Sequence, residues 1–363
     1  MRIIILGLSI TSSWGNGHAT TYRGLVRGLT QRGHDVLFLE RDAPWYAENR
    51  DLPNPPFGRT AIYGSFSELK DKWSREIRQA DFIIVGSYVP QGVAVGEWVT
   101  SVATGPVSFY DIDTPVTLAK LDRRDTEYLS RALVMRYDMY LSFTGGPTLD
   151  RLEKRYYARR PRALYCSVDP SAYFPDPQPV RWNMGYLGTY SDDRQPVLDR
   201  LMLTPARQWP DGQFCVAGSL YPEDLVWPGN VEHIHHLPPA GHRAFYNAQA
   251  WTLNVTRADM VRAGYSPSVR LFEAAACGTP ILSDAWPGLS EIFRVGTEIM
   301  VADTAGQAMD ILRNTPEWVR RAIGASARTR VMAEHTSDRR SEQLESYALE
   351  AIGAAPARAK VAG

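Results

Sequence analysis

The sequence predicts an α/β protein built from two Rossmann-like domains, and three observations predict it. Short apolar runs of strand length alternate with helical patterns along nearly the whole chain, the signature of βαβ units and parallel sheets. A proline-dense stretch, residues 169–180, interrupts that alternation, which restarts beyond it. The length, 363 residues, exceeds one ordinary core and suits two.

The elements follow in order. Residues 3–7 are a buried-strand run, followed by a loop rich in Ser, Gly and Thr. Tyr22, Leu25, Val26 and Leu29 recur at i, i+3, i+4 and i+7, an amphipathic helix that Gly33 stops. Residues 36–39 form the next strand, ending at Glu40, and further strands are expected at 82–85, 107–110 and 139–143. Four prolines among the twelve residues 169–180 make a stiff, extended connection, read as an interdomain linker. Beyond it, strands are expected at 183–187, 213–217, 231–233, 251–255 and 280–283, with helices at 195–202, 242–247 and 266–277. A last helix, 337–352, carries Leu344, Tyr347 and Ala348 on one face. The expected division is therefore 1–168, the linker 169–180, 181–335, and a terminal helix with its tail over 336–363. Two such domains facing across a cleft place a ligand at the carboxyl ends of both sheets.

Composition excludes several classes. With 44% hydrophobic and 22% charged residues the chain reads as globular, and a formal charge of zero gives no global field for nucleic acid or an anionic membrane. The basic run Arg151, Lys154, Arg155, Arg159, Arg160 and Arg162 reads as a solvated helix face and its exit. The first apolar run is too short for a signal segment or membrane span. Cys166, Cys215 and Cys277 are isolated, so neither disulfides nor a zinc site is expected, and a cytoplasmic location fits. No cofactor and no metal are expected.

The densest information lies in residues 266–284. Ser266 suits an N-cap, Pro267 the first helical position and Gly278 the left-handed position after the helix. Such a helix start is an anion site. Arg270 and Glu273, three apart, share one side of it and suit a phosphate and a ribose, or else form a buried ion pair on an ordinary core helix. A second glycine-bearing strand end, 185–194, offers Gly188 for close backbone approach and Arg194 for a diphosphate oxygen, unless it is a plain turn with a surface arginine.

The run 266–284 resembles the donor-binding signature of the GT-B glycosyltransferases, the retaining type with Glu-x7-Glu followed by Ala-x-Ala-x-Gly-x-Pro. Glu273 matches the second glutamate, and Ala274, Ala276, Gly278 and Pro280 match the residues after it, while Tyr265 stands where the first glutamate is expected. With residues 286–291 (Trp-Pro-Gly-Leu-Ser-Glu), the wording is most similar to the spore-maturation CgeB-type group. The resemblance implies a GT-B fold whose last helix crosses back to the first domain. It also implies a metal-independent glycosyltransferase acting on a nucleoside-diphosphate sugar (UDP favoured, dTDP or GDP open) and an unidentified acceptor hydroxyl, retention being preferred. Glu273 would hold the ribose, and Arg270 with Arg194 the leaving diphosphate. Gly188, Gly218, Ser266, Ser268, Val269, His236 and Leu237 would complete the donor site.

In the first domain, Gly15-x-Gly17 suggests a dinucleotide loop with Glu40 as its ribose acid. That reading is discounted, because several residues separate the glycines from the strand and Thr20 replaces the third glycine. The loop instead resembles the N-terminal loop of the same glycosyltransferase group. Gly15, Asn16 and Gly17 would then face sugar and acceptor, as would Tyr265 from the second domain, and His18 would be the acceptor base, a sugar contact or a capping residue. Of the Asp111-x-Asp113 pair, Asp111 is assigned to helix capping and Asp113 to the site, with no metal role. A sugar-nucleotide epimerase on the same fold and a non-catalytic sugar-nucleotide-binding protein are the alternatives.

Overall fold

The computed structural model describes residues 1–15 and 17–354. They fall into two compact units: Met1–Ser167 joined by the chain from Ser337 onward, and Val168–Thr336.

The first unit is a seven-stranded parallel sheet of β1 (Arg2–Gly7), β2 (Asp35–Arg41), β3 (Arg59–Tyr63), β4 (Phe82–Gly86), β5 (Val107–Asp111), β6 (Met139–Ser142) and β7 (Pro161–Ala163), in the order β3-β2-β1-β4-β5-β6-β7. Its central strands are apolar throughout because both faces are covered. Ile3 and Ile5 pack with Tyr22, Leu25, Val26 and Leu29 of the helix His18–Gln31 on one face. Ile4 and Leu6 serve the core on the other. Strands β3 and β7 carry no such run, since one is half exposed and the other opens on a proline at the sheet edge.

The final helix, Ser337–Ala354, packs on His18–Gln31 and buries Leu344, Ala348 and Ala351. Gly28 makes that approach possible: a Cβ there would lie 2.2 Å from Ser341 Oγ. The tail beyond residue 354 lies outside the described residues.

The second unit is a six-stranded parallel sheet of β8 (Met184–Leu187), β9 (Phe214–Ala217), β10 (Val231–Ile234), β11 (Thr252–Asn254), β12 (Ile281–Ser283) and β13 (Met300–Val301), ordered β10-β9-β8-β11-β12-β13. Segment 169–180 lies on this unit. Asn247 receives the Asp176 N–H at 2.8 Å and donates to the Phe174 carbonyl at 3.1 Å, while Arg243 covers the Phe174 ring at 4.2 Å.

The motif helix runs Val269–Ala276, its cap and first helical residue two positions later than the local signals predict. Ser266 is therefore not the cap and Pro267 not the first helical residue. Ser268 holds the cap position, but its hydroxyl donates to Asn254 Oδ1 at 2.8 Å instead of receiving a helix N–H. The cause is tertiary. Tyr265, itself left-handed at φ 49°, donates its N–H to the Pro287 carbonyl at 2.7 Å, so the approach to the helix is held extended. Gly278 does take the left-handed conformation after the helix, at φ 75°. The expected helix 195–202 is present and runs further: Gln195–Leu198 continues without a break through a π-turn, Asp199–Leu203, into Thr204–Gln208, where Pro205 brings no N–H to an α ladder.

Candidate functional site

Each sheet has one point where successive strands depart in opposite directions, and loops leaving such a point open a crevice at the strand carboxyl ends. In the second unit that point lies between β8 and β11, which pair Gly185 with Thr252 and Tyr186 with Leu253. The loop after β8 carries Arg194, the loop after β11 carries Arg257, and the motif helix brings Arg270.

Arg270 is buried and fixed on both strand ends. Its Nε donates to the Leu187 carbonyl, and Nη1 donates to Asn254 Oδ1 at 3.0 Å and to the Val255 carbonyl at 3.4 Å. Its guanidinium also covers the Tyr186 ring at 4.8 Å. Arg194 donates through Nη2 to the Thr189 carbonyl at 2.6 Å, whereas its Nε is buried with no hydrogen-bond partner among the described residues. Burial first, then the charges of Arg270 and Arg257, lower its affinity for the proton. Arg257 stands 3.7 Å from Asp193, whose carboxylate also receives the Ala258 N–H at 2.9 Å. Arg257 and Arg270 thus both act on Arg194, one carboxylate, Asp193, stands beside Arg257 and Arg194, and a buried donor is unused, a disposition that suits a multiply charged anion. Arg257 was not found from sequence; only the β8–β11 pairing brings it to Arg194.

The glycines at the neighbouring strand ends are required by packing. A Cβ on Gly218 would stand 2.0 Å from the Gly188 carbonyl oxygen, and one on Gly188 would stand 2.8 Å from Arg270 Nη2. Glu273 is 4% exposed and accepts a hydrogen bond from the Tyr246 hydroxyl at 3.0 Å. Arg270 and Glu273 are not partners, so the buried ion-pair alternative fails: Arg270 bonds strand ends and Glu273 a tyrosine. Ser266 is buried nearby. Val269 opens the helix.

His236 is exposed beyond the end of β10, and Leu237 contributes its carbonyl to His242 Nε2 at 3.2 Å. The histidine tied to the glycine strand ends is His233, which sits 3.1 Å from the Gly218 carbonyl and stacks on Trp227 at 4.7 Å. Tyr265 stands over Gly288, whose Cβ would meet its ring at 2.6 Å, and the Glu291 carboxylate raises its phenol.

In the first unit the corresponding point lies between β1 and β4. The loop after β1 is held by two carboxylates. Buried Glu40 accepts the Ile10 and Thr11 N–H groups at 2.7 and 3.0 Å and the Thr11 hydroxyl at 2.6 Å. Its oxygens are spent on the loop, which accounts for the acid without a dinucleotide. Asp51 receives both Nη groups of Arg23 at 2.9 Å and the Ser13 N–H at 2.8 Å. Burial alone would raise its carboxyl, but Arg23 and Ser13 outweigh that and hold it at about 2. Gly15 takes φ 64°, Asn16 lies outside the described residues, and Gly17 precedes the helix that His18 opens.

His18 Nδ1 is buried with no hydrogen-bond partner among the described residues, and burial lowers the imidazole to about 4. Its ring meets Tyr88 edge-on at 5.5 Å. Tyr88, at φ 62° just after β4, donates its hydroxyl to Asp113 Oδ2 at 3.1 Å. The fold therefore gathers His18 and Asp113 around a tyrosine that sequence reasoning missed. Asp113 occupies the N-cap position of the helix Thr114–Asp122 without a side-chain cap bond, while buried Asp111 holds that helix start through Thr117 Oγ1 at 2.6 Å and the Asp113 N–H at 3.3 Å. Burial raises Asp111 to about 6. Among the described residues no group of three His, Cys, Asp or Glu side chains could hold a metal, and no helix is long and apolar enough to cross a membrane.

A family model described as "Glycosyl transferase-like" matches residues 194–346. No curated protein matches the chain. Among solved structures it is similar to a sucrose-phosphate synthase from Thermosynechococcus elongatus (15% identity, 98% of this chain and 100% of that one, TM-score 0.70). It is also similar to Anabaena HepE in complex with UDP-glucose (12% identity, 96% and 100%, TM-score 0.71). A third is an alpha-glucosyltransferase in complex with UDP (13% identity, 96% and 100%, TM-score 0.69). The chain has the GT-B fold, two Rossmann-like units each on a parallel sheet.

Proposed function

We propose that this protein is a glycosyltransferase that moves a sugar from a nucleoside-diphosphate sugar to an acceptor hydroxyl without a metal. The observation that carries the reading is the cationic point between β8 and β11. As the bond from the sugar's anomeric carbon to the phosphate oxygen breaks, negative charge grows on the departing diphosphate. Arg194, Arg257 and Arg270 are already aimed and, in the case of Arg270, already immobilised, so little reorganisation is needed to meet that charge. One such donor is worth roughly 3 kcal/mol of barrier. They supply the positive charge that a divalent ion would otherwise bring.

Glu273, oriented by Tyr246, accepts the ribose hydroxyls in this reading, and His233 with the glycine strand ends borders the base. UDP is the favoured nucleotide, because HepE and the alpha-glucosyltransferase were solved with UDP-glucose or UDP. His18, Tyr88 and Asp113 bind the acceptor and the sugar. The retained anomer is the expected product, given the retaining-type wording around Glu273, and a CgeB-type member with a small-molecule or glycan acceptor is the narrower assignment. Three buried, free cysteines fit a reducing cytoplasm.

Calorimetric titration with UDP, dTDP and GDP tests the site. Product analysis with UDP-sugars and a panel of acceptors then tests transfer and anomeric outcome. A folded protein that binds none of the three nucleotides overturns the reading. Sugar interconversion without acceptor would replace transfer by epimerisation.

A further inference from the structure

The basic run 151–162 does not behave as one solvated face. Arg162 pairs with Glu350 of the final helix at 2.6 Å, Arg160 donates to the Asp138 carbonyl at 3.1 Å, and Lys154 pairs with Asp150 within its own helix. Arg151 and Arg155 behave differently. Together with Arg131, from a separate short helix, they converge on a single carboxylate, Asp122, at 2.9, 2.9 and 3.0 Å. The Tyr156 hydroxyl donates to the same carboxylate at 2.6 Å, and all three guanidinium groups lie against the Tyr156 ring, 5.0 to 5.8 Å from its centroid.

Arg131, Arg151 and Arg155 remain 48, 44 and 53% exposed, against 28% for Asp122. Arg124 brings a further guanidinium to the same place, with no carboxylate within ion-pair distance among the described residues. It lines, with Leu121, Asp122, Thr126 and Arg131, a cavity of about 470 Å³. One negative charge thus faces four positive ones, three of them on side chains that the ring and the shared carboxylate hold in place. Asp122 ends the helix that follows β5. Because such helices run back against their strands, this cluster lies at the amino-terminal edge of the sheet, opposite the edge that carries His18 and Asp113.

We propose that this cluster is a binding site for a phosphate monoester dianion. Two negative charges on three terminal oxygens match the uncompensated charge and the several directions from which the guanidinium N–H groups approach, and Thr126 adds a hydroxyl. A single carboxylate ligand would satisfy only part of that set. Asp122 competes with the ligand for the same donors, so the site is tuned to release a monoanion.

The test uses the full chain with two probes. The soluble probe is glucose 6-phosphate in a calorimetric titration. The lipid probe is phosphatidylcholine vesicles with or without phosphatidic acid, in a sedimentation assay. Binding of either probe supports the site and names its source. The double variant Arg131→Gln, Arg151→Gln, on exposed side chains, should weaken it about tenfold while leaving UDP affinity unchanged. Asp122→Asn, which frees the arginines from their internal counter-ion, should strengthen it about threefold or more, whereas a purely structural hub would only lose stability. Absence of binding to both probes overturns the proposal, as does binding that the folded double variant leaves unchanged. If Asp122→Asn does not fold, the double variant decides alone.

Discussion

Replacing Arg194 by Met separates function from stability at the proposed donor site. The methionine keeps an unbranched stem of similar reach and removes every donor. Loss of a charge-assisted hydrogen bond to a diphosphate oxygen costs about 1.5–3 kcal/mol, or roughly 10- to 150-fold in UDP affinity. The unliganded protein should hardly notice. The variant loses the 2.6 Å charge-assisted bond to the Thr189 carbonyl, about 1.5–3 kcal/mol, but it also removes a buried Nε with no partner, a group that costs about 1–3 kcal/mol. It further relieves repulsion from Arg257 and Arg270, the charges that lower Arg194. Titration calorimetry with UDP, beside a thermal scan of the unliganded protein, reads both quantities. The expected result is weaker UDP binding with a melting point equal to or above that of the parent. Unchanged UDP affinity in a folded variant, or a melt lowered by many degrees, would refute the reasoning.

Three further outcomes are expected. Glu40→Gln should lower the melting point and reduce turnover, because an amide nitrogen must face N–H and O–H donors that the carboxylate now accepts; the cost is about 2 kcal/mol, and an unaltered melting curve would contradict it. With His18 held at about 4 against an ordinary value of about 6.5, the fold favours the neutral ring. Its stabilising contribution is complete above the unfolded value and disappears as pH falls toward 4. If His18 is the acceptor base, kcat/KM should stay level from neutral pH to about 5 and then fall, and an acid limb centred near 6.5 would exclude that role. Transfer should survive chelation, whereas activity lost in chelator and restored by magnesium or manganese would return Asp111 and Asp113 to consideration as ligands.

Much of the architecture was legible because it is written in local periodicity. The apolar runs of β1, β4 and β5 and the four-residue stripe from Tyr22 to Leu29 reflect burial on two faces and on one, and neither depends on distant partners. The edge strands β3, β7 and β13 escaped because an edge needs no such run. The motif helix was recognised but misplaced by two residues at its start: good capping residues at Ser266 and Pro267 lost to a backbone bond from Tyr265 to Pro287, more than twenty positions away.

The sequence by itself determined that the chain alternates strand and helix in two halves, that Arg194 follows a strand end while Arg270 and Glu273 share one side of a helix start, and that a glycine loop precedes His18. Only the tertiary structure decided which of these groups meet. Arg257 joins Arg194 because β8 and β11 are neighbours, although 65 positions separate Asp193 from the Ala258 N–H that its carboxylate receives. Tyr88 joins His18 because β1 and β4 are neighbours. Arg151 and Arg155 leave their sequence companions for Arg131 because the carboxylate they share ends another helix. Periodicity is a property of each segment, whereas proximity is set by strand order, and strand order comes from how whole faces are buried against one another.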